Sequence, residues 1–189
     1  MKKNIVTLFL LLLAISGKAQ VDTTRSGLLY GFNNSYYLTA PVGWIMDTES
    51  GKEMGITAVF YPKGSSWVDG ETVMYTTFMS YDTTINETLK EVLAYDSSQF
   101  KVRSPGSAIS KQKPITIGKN KTATVLSYPG DAKNSYETVA YIPEKKGVTM
   151  IIISSGNKNG CTNNYRSFES LVKSYKFLTD KVNITVGPR

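Results

Sequence analysis

Apolar and polar positions are most tightly organised between Gly147 and Ser155. In an extended chain Val148, Met150 and Ile152 point one way, and Thr149, Ile151 and Ile153 the other. Apolar residues on both sides predict a central strand covered on both faces, not the half-wet strand of an open sheet. Leu28 to Phe32 and Tyr36 to Ala40 read as strands about a turn at Asn33-Asn34, the second ended by Pro41 and Gly43. Gly55 to Tyr61 is a strand stopped by Pro62. Glu71 to Tyr81 is another, with Val73, Tyr75, Thr77 and Met79 alternating against Thr72, Met74, Thr76 and Phe78. The loop between them, Lys63 to Gly70, carries Trp67.

The period changes at Thr84. Thr84 and Glu87 have capping-box spacing, in which the hydroxyl accepts from the Glu87 amide and the carboxylate reaches back. Ile85, Leu89, Val92 and Leu93 then form one apolar stripe, so a helix is predicted from Thr84, fraying near Ser97 to Phe100. After a turn at Pro105-Gly106 the chain reads as a β-meander: Ala108 to Lys111, Ile115 to Ile117, Lys121 to Tyr128, Tyr136 to Ile142 and the central strand. A second helix, Asn163 to Ser174, puts Tyr165, Phe168, Leu171, Val172 and Tyr175 on one side. The pattern is α+β, and a single antiparallel sheet with helices on opposite faces accounts for the two-sided strands.

The N-terminus belongs to no element of this fold. Lys2 and Lys3, an apolar run from Ile5 to Ile15 and the small residues Gly17 and Ala19 make a secretory signal peptide, with cleavage after Ala19. The apolar run is too short for a span, at about 1.5 Å per residue against a hydrocarbon core of about 30 Å. The expected organisation is a signal peptide (1–19), a flexible arm (20–27), one domain (28–180) and a polar tail (181–189), in a secreted or periplasmic protein. Composition then removes several chemistries. The formal charge is +7, of which Lys2, Lys3 and Lys18 contribute three, so the mature chain is only mildly basic and nucleic acid is not an expected partner. Cys161 is the one cysteine, which excludes an internal disulfide. It either pairs with another molecule or is a small half-buried residue before a helix. There is no histidine, which removes Ser-His-Asp and Cys-His catalysis in their usual forms and most zinc and copper sites. No phosphate-binding glycine loop is present, and neither a metal nor a cofactor is expected.

Carboxylates and aromatics supply the remaining candidates. Asp69 and Glu71 flank the Trp67 loop, offering the acids and the stacking ring that a glycosidase needs, although residues two apart in a turn are also ordinary solvated acids. Asp47, Glu49 and Glu53 cluster at one turn without the ligand spacing of an EF-hand. Trp67 either anchors a partner or folds back over a sheet end. Between Asp96 and Asp131 there is no acid, while Lys101, Arg103, Lys111, Lys113, Lys119 and Lys121 are all basic. Paired hairpins would gather several of these into a site for an anionic partner, or simply protect a sheet edge.

One set of motifs bears on the family. Tyr36-Tyr37-Leu38 with Ala40-Pro41 and Gly43-Trp44, then Phe60-Tyr61-Pro62, then Tyr165-Arg166-Ser167-Phe168, Leu171-Val172 and Ser174-Tyr175-Lys176-Phe177 resemble the PsbP/Mog1-like superfamily. The resemblance spans Leu28 to Leu178. It implies an α/β/α sandwich around a central antiparallel sheet, in a group made largely of binding and scaffold proteins with no shared catalytic residues. The expected function is an exported, non-enzymatic binding or accessory module for a protein or other envelope component, with Trp67, Tyr61, Lys111, Lys113 and Lys121 as candidate binding residues. The alternatives are a carbohydrate-active or other hydrolytic enzyme using Asp69 or Glu71, and a small-ligand carrier.

Overall fold

The computed structural model describes residues 25–31, 34–81, 87–130 and 135–182. The expected signal peptide and the predicted Thr84 cap therefore lie outside the described residues. In chain order the elements are β1 (Ser26–Gly31), β2 (Asn34–Thr39), β3 (Trp44–Asp47), a 3-10 turn (Lys52–Met54), β4 (Ala58–Pro62), β5 (Thr72–Ser80) and α1 (Leu89–Arg103). They continue with β6 (Ser110–Lys111), β7 (Ile115–Ile117), β8 (Lys121–Tyr128), β9 (Tyr136–Glu144), β10 (Gly147–Ser155), α2 (Gly160–Asn163), α3 (Tyr165–Lys173) and β11 (Lys176–Thr179).

β10 is central because both of its edges are used. It pairs antiparallel with β5 and with β9 along its whole length. Among the described residues the large sheet runs β3-β4-β5-β10-β9-β8-β6, with β7 also on β8. The alternation read from β10 divides the core in two. Ile151 and Ile153 pack with Phe168, Leu171 and Val172 of α3. Val148, Met150 and Ile152 pack with Val92 and Phe100 of α1. Successive residues of a strand face opposite ways, so these two clusters lie on opposite sides of the sheet.

Three expectations are corrected. The sheet is not single: β1, β2 and β11 form a separate three-stranded sheet, whose Leu29, Tyr36 and Leu38, with Ala40 just past β2, join the α3-side cluster. Only a pairing between distant parts of the chain, Lys176 with Tyr37 and Phe177 with Tyr36, creates it. β1 also begins at Ser26, inside the expected arm. Third, the first described helix starts one turn later than predicted. Its N-cap is Thr88, whose hydroxyl accepts from the Glu91 amide while the Glu91 carboxylate accepts from the Thr88 N–H. Glu87 precedes the cap and its N–H also donates to Glu91. Hydrogen bonds from Glu87 and Thr88 hold the Glu91 carboxyl below its usual value. The helix runs on to Arg103, past the expected fraying point, because Phe100 is buried against Tyr128.

Candidate functional site

The loop preceding β5 and the turn leaving β10 meet at one end of the large sheet, where Thr72, Ser155 and Tyr136 lie in register. The Thr72 hydroxyl donates to Ser155 Oγ at 3.0 Å, and Ser155 Oγ donates to the Glu71 carbonyl at 2.9 Å. Asn157 Nδ2 donates to Glu71 Oε1 at 2.9 Å. Glu71 is therefore a tie between two loops. Asp69 closes its own loop: its N–H donates to Ser66 Oγ at 3.0 Å, and that hydroxyl donates to Asp69 Oδ2 at 2.8 Å. The two carboxylates proposed for hydrolysis both accept from neighbouring side chains, Glu71 from Asn157 and Asp69 from Ser66.

Trp67 folds back toward the sheet. Its ring meets Tyr75 edge-on, with centroids 5.8 Å apart, and the Tyr75 hydroxyl donates to Glu137 at 3.1 Å. Burial, with the Glu137 charge behind it, raises the Tyr75 pKa. Tyr61 donates to Asp47 Oδ2 at 3.2 Å. Asp47 also accepts from Ser50 Oγ at 2.6 Å and from the N–H groups of Glu49 and Ser50. Burial opposes its ionisation, but these hydrogen bonds, Ser50 first, outweigh it and hold the carboxyl below its usual value. With Asp47 closing a turn and Glu49 paired to Lys52 at 2.7 Å, this cluster is a braced loop. Among the described residues no group of three acids and cysteines is placed to hold a metal ion.

A groove opens beside the same sheet end. Its floor is Ser127 and Thr138, partners across β8 and β9 whose hydroxyls lie 2.9 Å apart. Gln112 stands on one side, with Cys161, Thr162 and Tyr165 on the other, around about 250 Å³. A second hollow of about 280 Å³ shares most of that lining and extends to Tyr128, Glu137 and Lys158. Toward α3 a third, of about 240 Å³, lies between Lys113 and Tyr165, Glu169 and Lys173. The lining is hydroxyl-rich, with lysines at its rim.

The candidate lysines do not share one patch. Lys113 lines the third hollow, toward α3, and Lys111 is exposed on the adjoining edge strand, opposite Leu126. Lys121 stands at the far end of β8, ion-paired to Glu144. Its ammonium also lies 5.6 Å from the Tyr175 ring centre and 5.4 Å from that of Phe177. It braces the small sheet against the large one, and the residue numbering alone hid that separation.

Cys161 takes the half-buried alternative further than expected, being 7% exposed. Its thiol donates to the Tyr136 carbonyl at 3.2 Å. Burial, and then the Glu137 charge, pushes its pKa up to about 11, so it is a neutral thiol at pH 8. Alkylation by iodoacetamide at pH 8 is expected to be at least about tenfold slower in the folded protein than in urea. Equal rates, read by intact mass, would show that the thiol is not enclosed.

The sequence reading missed a part-buried polar cluster. Asp96 on α1 accepts from Tyr128 at 3.3 Å and also from Tyr141. Its signal was present: Asp96 falls between Val92 and Phe100 at helical spacing, a carboxylate in an apolar stripe.

No protein-family model matches the chain, and no curated protein matches it. Solved structures do. A point mutant of the protein Mog1 matches with a TM-score of 0.50 at 10% identity, over 80% of this chain and 95% of that one. The Ran-binding protein Mog1p of Saccharomyces cerevisiae gives 0.46 at 10% identity, over 75% and 89%. Cyanobacterial PsbP (CyanoP) of Synechocystis sp. PCC 6803 gives 0.48 at 12% identity, over 87% and 99%. At such identities the likeness is one of fold alone, and the chain has the PsbP/Mog1-like fold.

Proposed function

We propose that the chain is an exported, non-enzymatic binding or accessory module that holds an anionic protein or other envelope component at the loop end of its large sheet. The observation that carries this reading is the hydroxyl-floored groove with Lys158 in its lining and Lys113 in the neighbouring hollow toward α3. Hydroxyls and an amide recognise polar groups without reacting with them, while rim ammonium groups draw in an anionic partner and make the encounter salt-dependent. Lys111, exposed on the neighbouring strand, adds to that field. Export rests on the basic and apolar pattern of residues 2–19.

The test is retention of a defined component from the envelope of the source cell on the immobilised chain, Gln20 to Arg189, eluted by salt and identified by mass spectrometry. Lys111→Glu with Lys113→Glu is expected to reduce retention at least about tenfold at moderate salt, and Trp67→Ala to weaken it less. Unchanged retention in both would end this reading. Turnover of a glycan that disappears in Asp69→Asn or Glu71→Gln would replace it with a hydrolase.

A further inference from the structure

The small sheet has an open edge at β1. The N–H of Ala40 donates to the Arg25 carbonyl at 2.6 Å, which sets the phase of the β1–β2 ladder. In the register Leu28↔Tyr37 and Leu29↔Tyr36, residues 27, 29 and 31 share the orientation of Arg25 and turn their N–H and C=O groups toward β2. Ser26, Leu28 and Tyr30 turn theirs away. Among the described residues no backbone group takes them up. A groove of about 440 Å³ runs along this edge, with Leu28–Gly31 on one wall and Lys52, Gly55, Ile56 and Thr57 on the other.

A second observation points to the same place. Asn34 is 1% exposed, yet among the described residues neither its carboxamide oxygen nor its nitrogen has a partner. That carboxamide fills the space a side chain on Gly31 would need, so a buried donor and acceptor lie directly behind a residue of the groove wall. Buried polar atoms without partners are rare in folded proteins and call for an explanation.

We propose that the open edge of β1 is a strand-addition site for an extended peptide segment of a partner protein that carries an acidic side chain opposite Lys52. A backbone offers what the edge lacks, N–H and C=O groups in alternation. Its outward side chains cover Leu28 and Tyr30, which are 45% and 58% exposed. The far wall selects one chain over another folded sheet: a second copy would bring its own β2 against Lys52 and Ile56. The Lys52–Glu49 pair is 62% and 74% exposed, so it contributes little in water and a partner carboxylate can take the place of Glu49 on Lys52. This site is independent of the loop-end groove, since it adjoins the Thr48 end of the β3–β4 pair and not the Pro62 end.

The probe is a synthetic pool of peptides of about eight residues, with β-branched residues at alternate positions and one glutamate. It is titrated against the chain with amide exchange followed by NMR. Saturable binding that slows exchange at Leu28 and Tyr30 is expected. Leu28→Pro removes an N–H that the fold does not use and should weaken binding at least about tenfold, with Lys52→Glu weakening it several-fold. If Leu28→Pro does not fold, a pool N-methylated at alternate amides takes its place and should not bind. Absence of saturable binding, protection elsewhere than β1, or indifference to these changes would overturn the proposal. Protection of the same amides by protein concentration alone would overturn it in favour of self-pairing.

Discussion

Phe168→Ala is expected to lower the unfolding free energy by about 3–5 kcal/mol, the usual cost of removing a core aromatic. Phe168 has no exposed surface and packs in the cluster that contains Ile151 and Ile153 of β10. α3 is nine residues long, too short to hold a helical shape in water unaided, and its N-cap Asn164 makes no side-chain capping bond. Its order therefore comes from Phe168, Leu171 and Val172 against the sheet. Truncating the largest of the three leaves a cavity that β10, fixed on both edges, cannot close. Urea denaturation measures this directly. A loss below about 1 kcal/mol would mean that α3 is anchored elsewhere.

Raising the pH above 10 is expected to destabilise the fold more steeply than an ordinary protein. Burial raises the phenol pKa values of Tyr36, Tyr75, Tyr128, Tyr141 and Tyr175 above the usual 10.0. For Tyr141 the Asp96 charge adds to burial. Below pH 10 both folded and unfolded chains keep these protons, and stability is indifferent to them. Above it the unfolded chain loses protons that the folded chain retains, so stability falls as pH rises, by about 1.4 kcal/mol per pH unit for each such tyrosine. For Tyr128, raised to about 12, the window runs from pH 10 to about 12; for Tyr141 it extends further. Denaturation midpoints at stepped pH read the slope, and Tyr128→Phe should flatten it between pH 10 and 12. A flat profile over that interval would show that these phenols are not enclosed.

Local pattern carried the strands well and their assembly poorly. β7 and β8 fall at the predicted residues, because turns at Gly118 and Pro129 bound them within a few positions. The helix cap was displaced because Thr84-Ile85-Asn86-Glu87 and Thr88-Leu89-Lys90-Glu91 repeat one pattern four residues apart, and the spacing cannot choose between them. Trp67 had two readings, and its contact with Tyr75 is the folded-back one. The groove floor was invisible for another reason. Ser127 and Thr138 are ordinary hydroxyls in their own strands, and only the β8–β9 register sets them side by side. Lys121 falls in one basic run with Lys111 because charge along a chain says nothing about which end of a strand pair each residue occupies.

The three-stranded sheet also fixes an order of events during synthesis. Its middle strand, β2, is among the first described segments made, while β11 comes after every other strand. Until Lys176–Thr179 emerges, the hairpin Ser26–Thr39 lacks one neighbour, and the bonds that link the Thr39 backbone to the Ser174 hydroxyl cannot form. A chain stalled before that point presents an unpaired strand bearing Tyr36 and Tyr37, the kind of surface that chaperones hold and that aggregates without them. The domain is latched by the last of its described strands, so the small sheet closes only when synthesis is nearly complete.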